Sequence, residues 1–119
     1  MERSRIKEIL NKINQVRIAV YGDFCLDAYW IMDPRGSEVS VETGLQAEAV
    51  ERHYYSPGGA ANVVANVSAL NPAAIKVIGV VGDDIYGREL TAQLKDLGAE
   101  TSSLIIQQEE FDTYTYLKS

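Results

Sequence analysis

A buried strand that leads directly into a helix, within residues 75–98, limits the possible folds of this chain more than any other feature. Residues 75–81 form an almost continuous apolar run rich in valine and isoleucine, which predicts a buried strand. Gly82-Asp83 ends this run, and an apolar helical pattern over residues 84–97 stops at Gly98, the residue type that most often follows a helix. A strand followed by a helix in this way is the repeating unit of α/β folds.

The rest of the chain predicts further elements of both kinds. The predicted helices cover residues 4–14 and 59–70, and the predicted strands cover residues 16–21, 47–55, 103–107 and 113–117. An acidic turn joins the last two strands. Residues 32–46, with a proline, two glycines and several acidic residues, are predicted to be either an irregular segment or an excursion from the main fold. The alternation of strands and helices indicates an α/β architecture with a mainly parallel sheet.

The segment around Gly58-Gly59 is the strongest candidate for contact with a ligand. Two adjacent glycines permit a sharp turn and a close approach of a ligand to the backbone, and the small residues that follow predict the start of a helix. Asn62, about one turn into that helix, adds an amide that both donates and accepts hydrogen bonds. An ordinary turn before a helix would explain the same glycines.

Two aspartates near the first strand extend this candidate site. Asp27 would accept strong hydrogen bonds from ligand hydroxyl groups, whereas the alternative is a solvated loop residue or a cap. Asp23 either binds a ligand or caps the turn after the strand. Tyr29 and Trp30 either stack on a sugar face or are buried. A carboxylate, an amide and exposed backbone together suit a small molecule with many hydroxyl groups.

Composition argues against several classes of function. The net charge is −6 and the 11 basic residues are scattered, which disfavours a nucleic-acid-binding surface. No apolar run approaches the ~18–20 residues that a membrane helix needs. The single Cys25 cannot form an internal disulfide and is predicted to be a packed thiol in a reducing cytoplasm, and a single histidine disfavours a zinc site. Asp83-Asp84 resembles a metal pair but is better explained as a helix cap.

The order of these motifs resembles the N-terminal part of the ribokinase-like, or PfkB-type, carbohydrate kinases. The resemblance rests on Gly22-Asp23, on Asp27-Ala28-Tyr29-Trp30, on residues 57–63 and on the pattern Gly-Asp-Asp-x-x-Gly at residues 82–87. Within the family, the short spacing Gly58-Gly59-Ala60-Ala61-Asn62 is similar to that of the kinases that phosphorylate heptose 7-phosphate in ADP-heptose synthesis. The resemblance extends over residues 16–119.

This resemblance implies a ribokinase-like α/β fold, with a mainly parallel sheet flanked by helices and a small β lid at about residues 31–56. Residues 1–15 would form an N-terminal helix, and residues 16–119 the N-terminal part of a kinase domain. The family's catalytic base lies in a Gly-Ala-Gly-Asp motif that this sequence lacks. The base is therefore expected beyond Ser119, together with most of the ATP site. ATP and Mg²⁺ are the implied cofactors.

The resemblance also implies roles for six residues. The residues expected to contact the substrate are Asp27, Gly58, Gly59, Asn62, Asp23 and Arg35, of which Arg35 would contact a substrate phosphate. The implied function is the substrate-binding portion of an ATP-dependent kinase that acts on a heptose phosphate or a related sugar, and that is inactive as these 119 residues alone. The alternative is a non-catalytic sugar-binding module, or a homodimer contact through the lid. A dehydrogenase-type nucleotide site is disfavoured, because no Gly-x-Gly-x-x-Gly follows the first strand.

Overall fold

The chain folds into a parallel sheet flanked by helices, with a smaller sheet beside it. The computed structural model describes residues 2–119. The helices are α1 (Arg3–Ile13), α2 (Ala60–Ser68) and α3 (Ile85–Asp96). The strands are β1 (Arg17–Tyr21), β2 (Phe24–Val39), β3 (Gln46–Gly59), β4 (Ala74–Gly82), β5 (Ala99–Glu100), β6 (Leu104–Gln107) and β7 (Thr115–Lys118).

The larger sheet is parallel and is built around β4. β1 pairs with the first half of β4, with Val20 opposite Val77, while β5 and β6 pair with successive parts of the same strand. Parallel neighbours need a crossover connection, and α2 and α3 supply these connections before and after β4. The predicted α/β architecture with a mainly parallel sheet is therefore confirmed.

The smaller sheet has the order β3-β2-β7. β2 and β3 form a long antiparallel hairpin, in which Asp27 lies opposite Ser56, and β7 pairs with β2 in parallel. The last two predicted strands are thus real, but they do not form a hairpin with each other. β6 belongs to the larger sheet and β7 to the smaller one, so the acidic segment between them crosses from one sheet to the other.

The prediction of an irregular segment at residues 32–46 is wrong for most of its length. β2 continues to Val39 and β3 begins at Gln46, so only residues 40–45 form the connecting turn. The register shifts between Asp33 and Glu38, which places Pro34 and Gly36 in a bulge of β2. A proline and a glycine are tolerated there because the hydrogen-bond ladder is already interrupted.

The core lies where the two sheets meet α2 and α3. Its largest fully buried side chains are Phe24, Leu26, Leu90, Leu94, Val64, Val77 and Val81. Phe24, at the start of β2, packs over Gly79 of β4, where an added Cβ would lie 2.8 Å from the ring carbon Cε2. The absence of a side chain at residue 79 therefore allows the hairpin to pack closely on the parallel sheet.

The three helices begin and end close to the residues predicted from the sequence. α3 ends before Gly98, whose φ of +86° confirms its expected role as the residue that follows the helix. α1 is helical as predicted, although none of its residues is buried. Within residues 2–119, no helix combines the length and the apolar character that a membrane crossing requires.

Candidate functional site

A cleft of about 380 Å³ opens where β1 and β4 approach their carboxyl ends. Its lining residues are Tyr21, Gly22, Asp23, Gly79, Val80, Phe111 and Tyr114. Open parallel sheets bind their ligands at this edge, where the carboxyl ends of neighbouring strands meet. Asp23 is exposed and is the one carboxylate among the lining residues. A ligand in the cleft would therefore be within reach of Asp23.

Asp27 lies within β2 and not in a loop. Leu26 and Ala28 on either side are fully buried, so the alternation of the strand places Asp27 on the opposite face of the hairpin. Its carboxylate extends over Gly58 on β3, where an added Cβ would lie only 3.0 Å from Asp27 Oδ1. The Asp27 side chain is 25% exposed. Gly58 thus leaves space for a carboxylate that solvent, or a ligand, can still reach.

Gly58 and Gly59 are the last two residues of β3, so the sharp turn expected at the glycine pair is confined to Gly59. Gly59 alone leaves the extended conformation, with φ +55° and ψ −130°, and the chain enters α2 at the next residue. The Ala60 N–H then donates to the Asp23 carbonyl oxygen at 2.9 Å. An added Cβ on Gly59 would lie 2.5 Å from that same oxygen. A glycine is therefore needed to bring the start of α2 against Asp23.

Cys25 lies between Asp23 and Asp27 in the chain and packs beside Gly59. Its thiol lies beside Gly59, with Sγ 3.8 Å from the Asp23 carbonyl oxygen, and the residue is only 7% exposed. Burial raises the pKa of the Cys25 thiol, and the nearby carboxylates of Asp23 and Asp27 raise it further. The thiol is therefore neutral and packed, as the sequence predicted.

Asn62 and Arg35, the other two residues expected to contact the substrate, lie in different parts of the structure. Asn62 lies in the first turn of α2, is exposed, and its amide has no hydrogen-bond partner among residues 2–119. Arg35 lies in the bulge of β2, where its Nε is 3.3 Å from Asp33 Oδ1. It is eight residues along the strand from Asp27, roughly 25 Å at the usual rise of an extended chain. The structure therefore brings together Asp23, Asp27 and the two glycines, but not Arg35.

Asp84 anchors the loop that borders the cleft. It is the N-cap of α3 and accepts a hydrogen bond from the Gly87 N–H at 2.6 Å. It also accepts from the Thr113 N–H at 2.9 Å and from the Thr113 hydroxyl at 2.8 Å. The Thr113 hydroxyl oxygen in turn accepts from the Gly82 N–H at 2.9 Å. The Gly-Asp-Asp-x-x-Gly pattern thus fastens the segment before β7 to the start of α3.

The electrostatics of Asp84 follow from this network. Burial disfavours the charged carboxylate, but the hydrogen bonds from Thr113 and Gly87, with the Arg88 charge nearby, outweigh it and lower the pKa of Asp84. Asp83, by contrast, is exposed and forms an ion pair with Arg88 at 3.1 Å. The predicted capping role is confirmed for Asp84. Across residues 2–119, no three Asp, Glu, His or Cys side chains lie together as a set of metal ligands.

One basic residue near Asp27 was not predicted from the sequence. Lys118 on β7 lies with its Nζ 3.8 Å from Asp27 Oδ2 and 3.1 Å from the Tyr29 hydroxyl. The two residues are 91 positions apart, and only the parallel pairing of β7 with β2 brings them together. No local pattern indicates such a pairing. A single lysine near the end of a predicted strand does not by itself indicate a ligand site.

Comparison with known proteins identifies relatives for most of the chain. Residues 16–118 match the family described as pfkB family carbohydrate kinase. Bifunctional protein HldE from Coxiella burnetii is 45% identical over 80 residues, which cover 67% of this chain and 16% of that protein. Its counterpart from Aliivibrio salmonicida is 34% identical over 113 residues, which cover 95% of this chain and 23% of that protein. The chain thus spans less than a quarter of the curated relatives that it matches.

Solved structures share the fold at lower identity. Aminoimidazole riboside kinase from Salmonella enterica, in complex with aminoimidazole riboside and an ATP analog, has a TM-score of 0.61 at 23% identity, covering 86% of this chain and 28% of that one. Fructokinase from Xylella fastidiosa has a TM-score of 0.60 at 21% identity, covering 87% of this chain and 28% of that one. This likeness confirms the predicted fold.

Proposed function

This chain belongs to the pfkB family of carbohydrate kinases, and we propose that it forms the part of such a kinase that holds the sugar. The observation that carries the proposal is the position of the Asp27 carboxylate. It lies over Gly58 and remains 25% exposed, while Gly59, the next residue of β3, packs against the backbone of Asp23, which lines the cleft.

The chemistry proposed for these residues is binding and orientation. The Asp27 carboxylate accepts hydrogen bonds from two sugar hydroxyls, because an ionised carboxylate has two oxygens and no proton to donate. Asp23 and the Asn62 amide add further polar contacts, while Gly58 and Gly59 keep the floor of the site free of side chains. Holding the sugar in one orientation supplies proximity for a reaction at one of its hydroxyls.

The proposed substrate is a heptose phosphate or a related sugar, and the proposed phosphoryl donor is ATP with Mg²⁺ in the cytoplasm. This specificity rests on the similarity to the HldE proteins and on the short Gly58-Gly59-Ala60-Ala61-Asn62 spacing. When bound, ATP supplies the phosphoryl group and Mg²⁺ offsets its charge. Residues 2–119 offer no cluster of three ligands for the metal and no Gly-Ala-Gly-Asp motif for the base. We therefore assign neither to this chain.

The chain alone is expected to bind sugar without phosphorylating it. Isothermal titration of the 119-residue chain with heptose 7-phosphate should give saturable heat, while incubation with ATP, Mg²⁺ and the same sugar should release no ADP above background. The physical reason is that orientation without a base or a site for the donor leaves the chemical barrier in place. ADP release that depends on the sugar would contradict the division of roles proposed for the chain.

Substitution of Asp27 tests the binding role directly. Asp27→Asn keeps the size of the side chain but removes its charge and one acceptor, and we expect the sugar affinity to fall by about 10- to 100-fold, the range for a hydrogen bond to a charged group. Asp33→Asn is the matched control, because that carboxylate is similarly exposed, 28% against 25%, and lies farther along the same strand. Equal affinities for wild type and Asp27→Asn would refute the proposed site.

The alternative function is assembly through the hairpin of β2 and β3. It is favoured by apolar side chains at the hairpin end, where Val39, Val41 and Leu45 are 60%, 101% and 69% exposed. Such side chains around a turn suit contact with a second copy of the chain. Sedimentation equilibrium across a range of concentrations, combined with the sugar titration, separates the two functions. An assembly module associates without sugar and gives no heat on titration, whereas a sugar-holding domain binds sugar whatever its oligomeric state.

A further inference from the structure

The outer face of the smaller sheet places the Lys118 ammonium group beside the Asp27 carboxylate. In the register of β2, β3 and β7, Tyr29 lies opposite Tyr54 on one side and Lys118 on the other. Residues that lie opposite each other share a face of the sheet, and Asp27 is two residues from Tyr29 and so lies on this face too. We call this set, Asp27, Tyr29, Tyr54 and Lys118, the outer-face cluster.

Aromatic stacking positions the Lys118 ammonium group within this cluster. The Tyr29 and Tyr54 rings are stacked with centroids 4.7 Å apart and an interplanar angle of 6°. The Lys118 Nζ donates a hydrogen bond to the Tyr29 hydroxyl at 3.1 Å and lies 4.7 Å from the centroid of the same ring. The hydrogen bond with Tyr29 raises the pKa of Lys118, and the Asp27 charge raises it further. The ammonium group is therefore positively charged at neutral pH.

The contact between Lys118 and Asp27 is too long to be a hydrogen bond, so it leaves donors on Lys118 and acceptors on Asp27 available. Their closest atoms are 3.8 Å apart, beyond hydrogen-bond distance, and the Lys118 side chain is 52% exposed. An ammonium group has three donors, and the hydrogen bond to Tyr29 uses one of them. A simple surface ion pair is the alternative, and in it water would take the donors and acceptors that remain on both groups.

We propose that Lys118 binds the phosphate group of a phosphorylated sugar whose hydroxyls are held by Asp27. The inference rests on the proposed function and makes Lys118 a determinant of specificity within it. A sugar phosphate that approaches Asp27 alone would meet a negative charge in a protein of net charge −6. Lys118 offsets that repulsion and offers charge-assisted hydrogen bonds to the phosphate oxygens. Arg35, the residue expected from the sequence, is too far along β2 for this role.

Titration with a pair of sugars that differ only in the phosphate tests this assignment. The 119-residue chain is titrated with heptose 7-phosphate, with the corresponding heptose and with inorganic phosphate, at low and at high salt. Lys118→Ala should lower the affinity for the phosphorylated sugar about tenfold and leave the affinity for the heptose unchanged. The preference of the wild type for the phosphorylated sugar should shrink as the salt concentration rises.

Three further variants make the result decisive. Lys118→Arg should retain most of the preference, Lys76→Ala on β4 should retain all of it, and Lys118→Gln replaces Lys118→Ala if the alanine variant fails to fold. An unchanged preference in Lys118→Ala or Lys118→Gln, or equal wild-type affinities for both sugars, overturns the role of Lys118 while the proposed function stands. If Asp27→Asn binds both sugars as the wild type does, the proposed function fails, and this inference fails with it.

Discussion

Asp84→Ala is expected to lower the free energy of unfolding by about 2–4 kcal/mol, which is a large part of the stability of a small domain. The substitution removes the N-cap of α3 and leaves three donors, the Gly87 N–H, the Thr113 N–H and the Thr113 hydroxyl, without their acceptor. Chemical denaturation followed by far-ultraviolet circular dichroism measures the change. Backbone amide exchange of residues 108–114 should rise as well, because that loop loses its anchor.

The neighbouring aspartate provides a matched control. Asp83 is exposed and pairs with Arg88 on the surface, where the two side chains are 55% and 64% exposed. Exposed ion pairs contribute at most about 1 kcal/mol, so Asp83→Ala should leave the denaturation midpoint nearly unchanged. Equal losses from the two substitutions would show that the hydrogen-bond network around Asp84 does not stabilise the fold.

The pH dependence of the Asp84 contribution has a definite sign. Because the pKa of Asp84 is lowered in the folded chain, the unfolded chain binds a proton more readily at this position. The contribution is therefore fully present above the unfolded pKa, about 3.9, and is lost as the pH falls through the lower folded value. The difference in stability between wild type and Asp84→Ala should stay constant from pH 7 to about pH 5 and narrow below about pH 4.

Local patterns predicted the elements of the ribokinase-like fold because each depends on residues close in sequence. The apolar run before Gly82, the cap at Asp84 and the glycine at residue 98 each report a local conformation, and the structure confirms all three. The same local reasoning was wrong for Pro34 and Gly36. There the tertiary pairing of β2 with β3 continues past a bulge, and cross-strand hydrogen bonds determine the outcome more than local propensity does.

The parts of the site that the sequence did not predict depend on contacts distant in sequence. The sequence predicted Gly58 as a place where a ligand comes close to the backbone, and it did not predict that the missing side chain also makes room for Asp27, which approaches from the opposite strand. Lys118, on β7, donates a hydrogen bond to Tyr29, which is 89 residues away, and Thr113, in the loop before β7, donates one to Asp84, which is 29 residues away. Patterns over a few residues carry no information about partners at that separation.

Gly59→Ala is expected to destabilise the chain through two separate effects, conformational strain and a steric contact. The backbone at Gly59, with φ +55° and ψ −130°, costs a residue with a side chain about 1–3 kcal/mol. The new Cβ would also lie 2.5 Å from the Asp23 carbonyl oxygen, which belongs to the backbone and accepts the hydrogen bond from Ala60. The two effects together should lower the free energy of unfolding by about 3–5 kcal/mol, as large core substitutions do.

Gly98→Ala separates conformational strain from steric contact. Gly98 also has a positive φ, +86°, but an added Cβ there would meet no atom within 4 Å. Its loss should therefore be about 1–2 kcal/mol, the strain of the left-handed conformation alone. Urea denaturation of both variants gives the comparison, and the excess loss in Gly59→Ala measures the contact with Asp23. If the two losses were equal, the close approach of α2 to Asp23 would not depend on glycine, and Gly59 would have no special part in building the site.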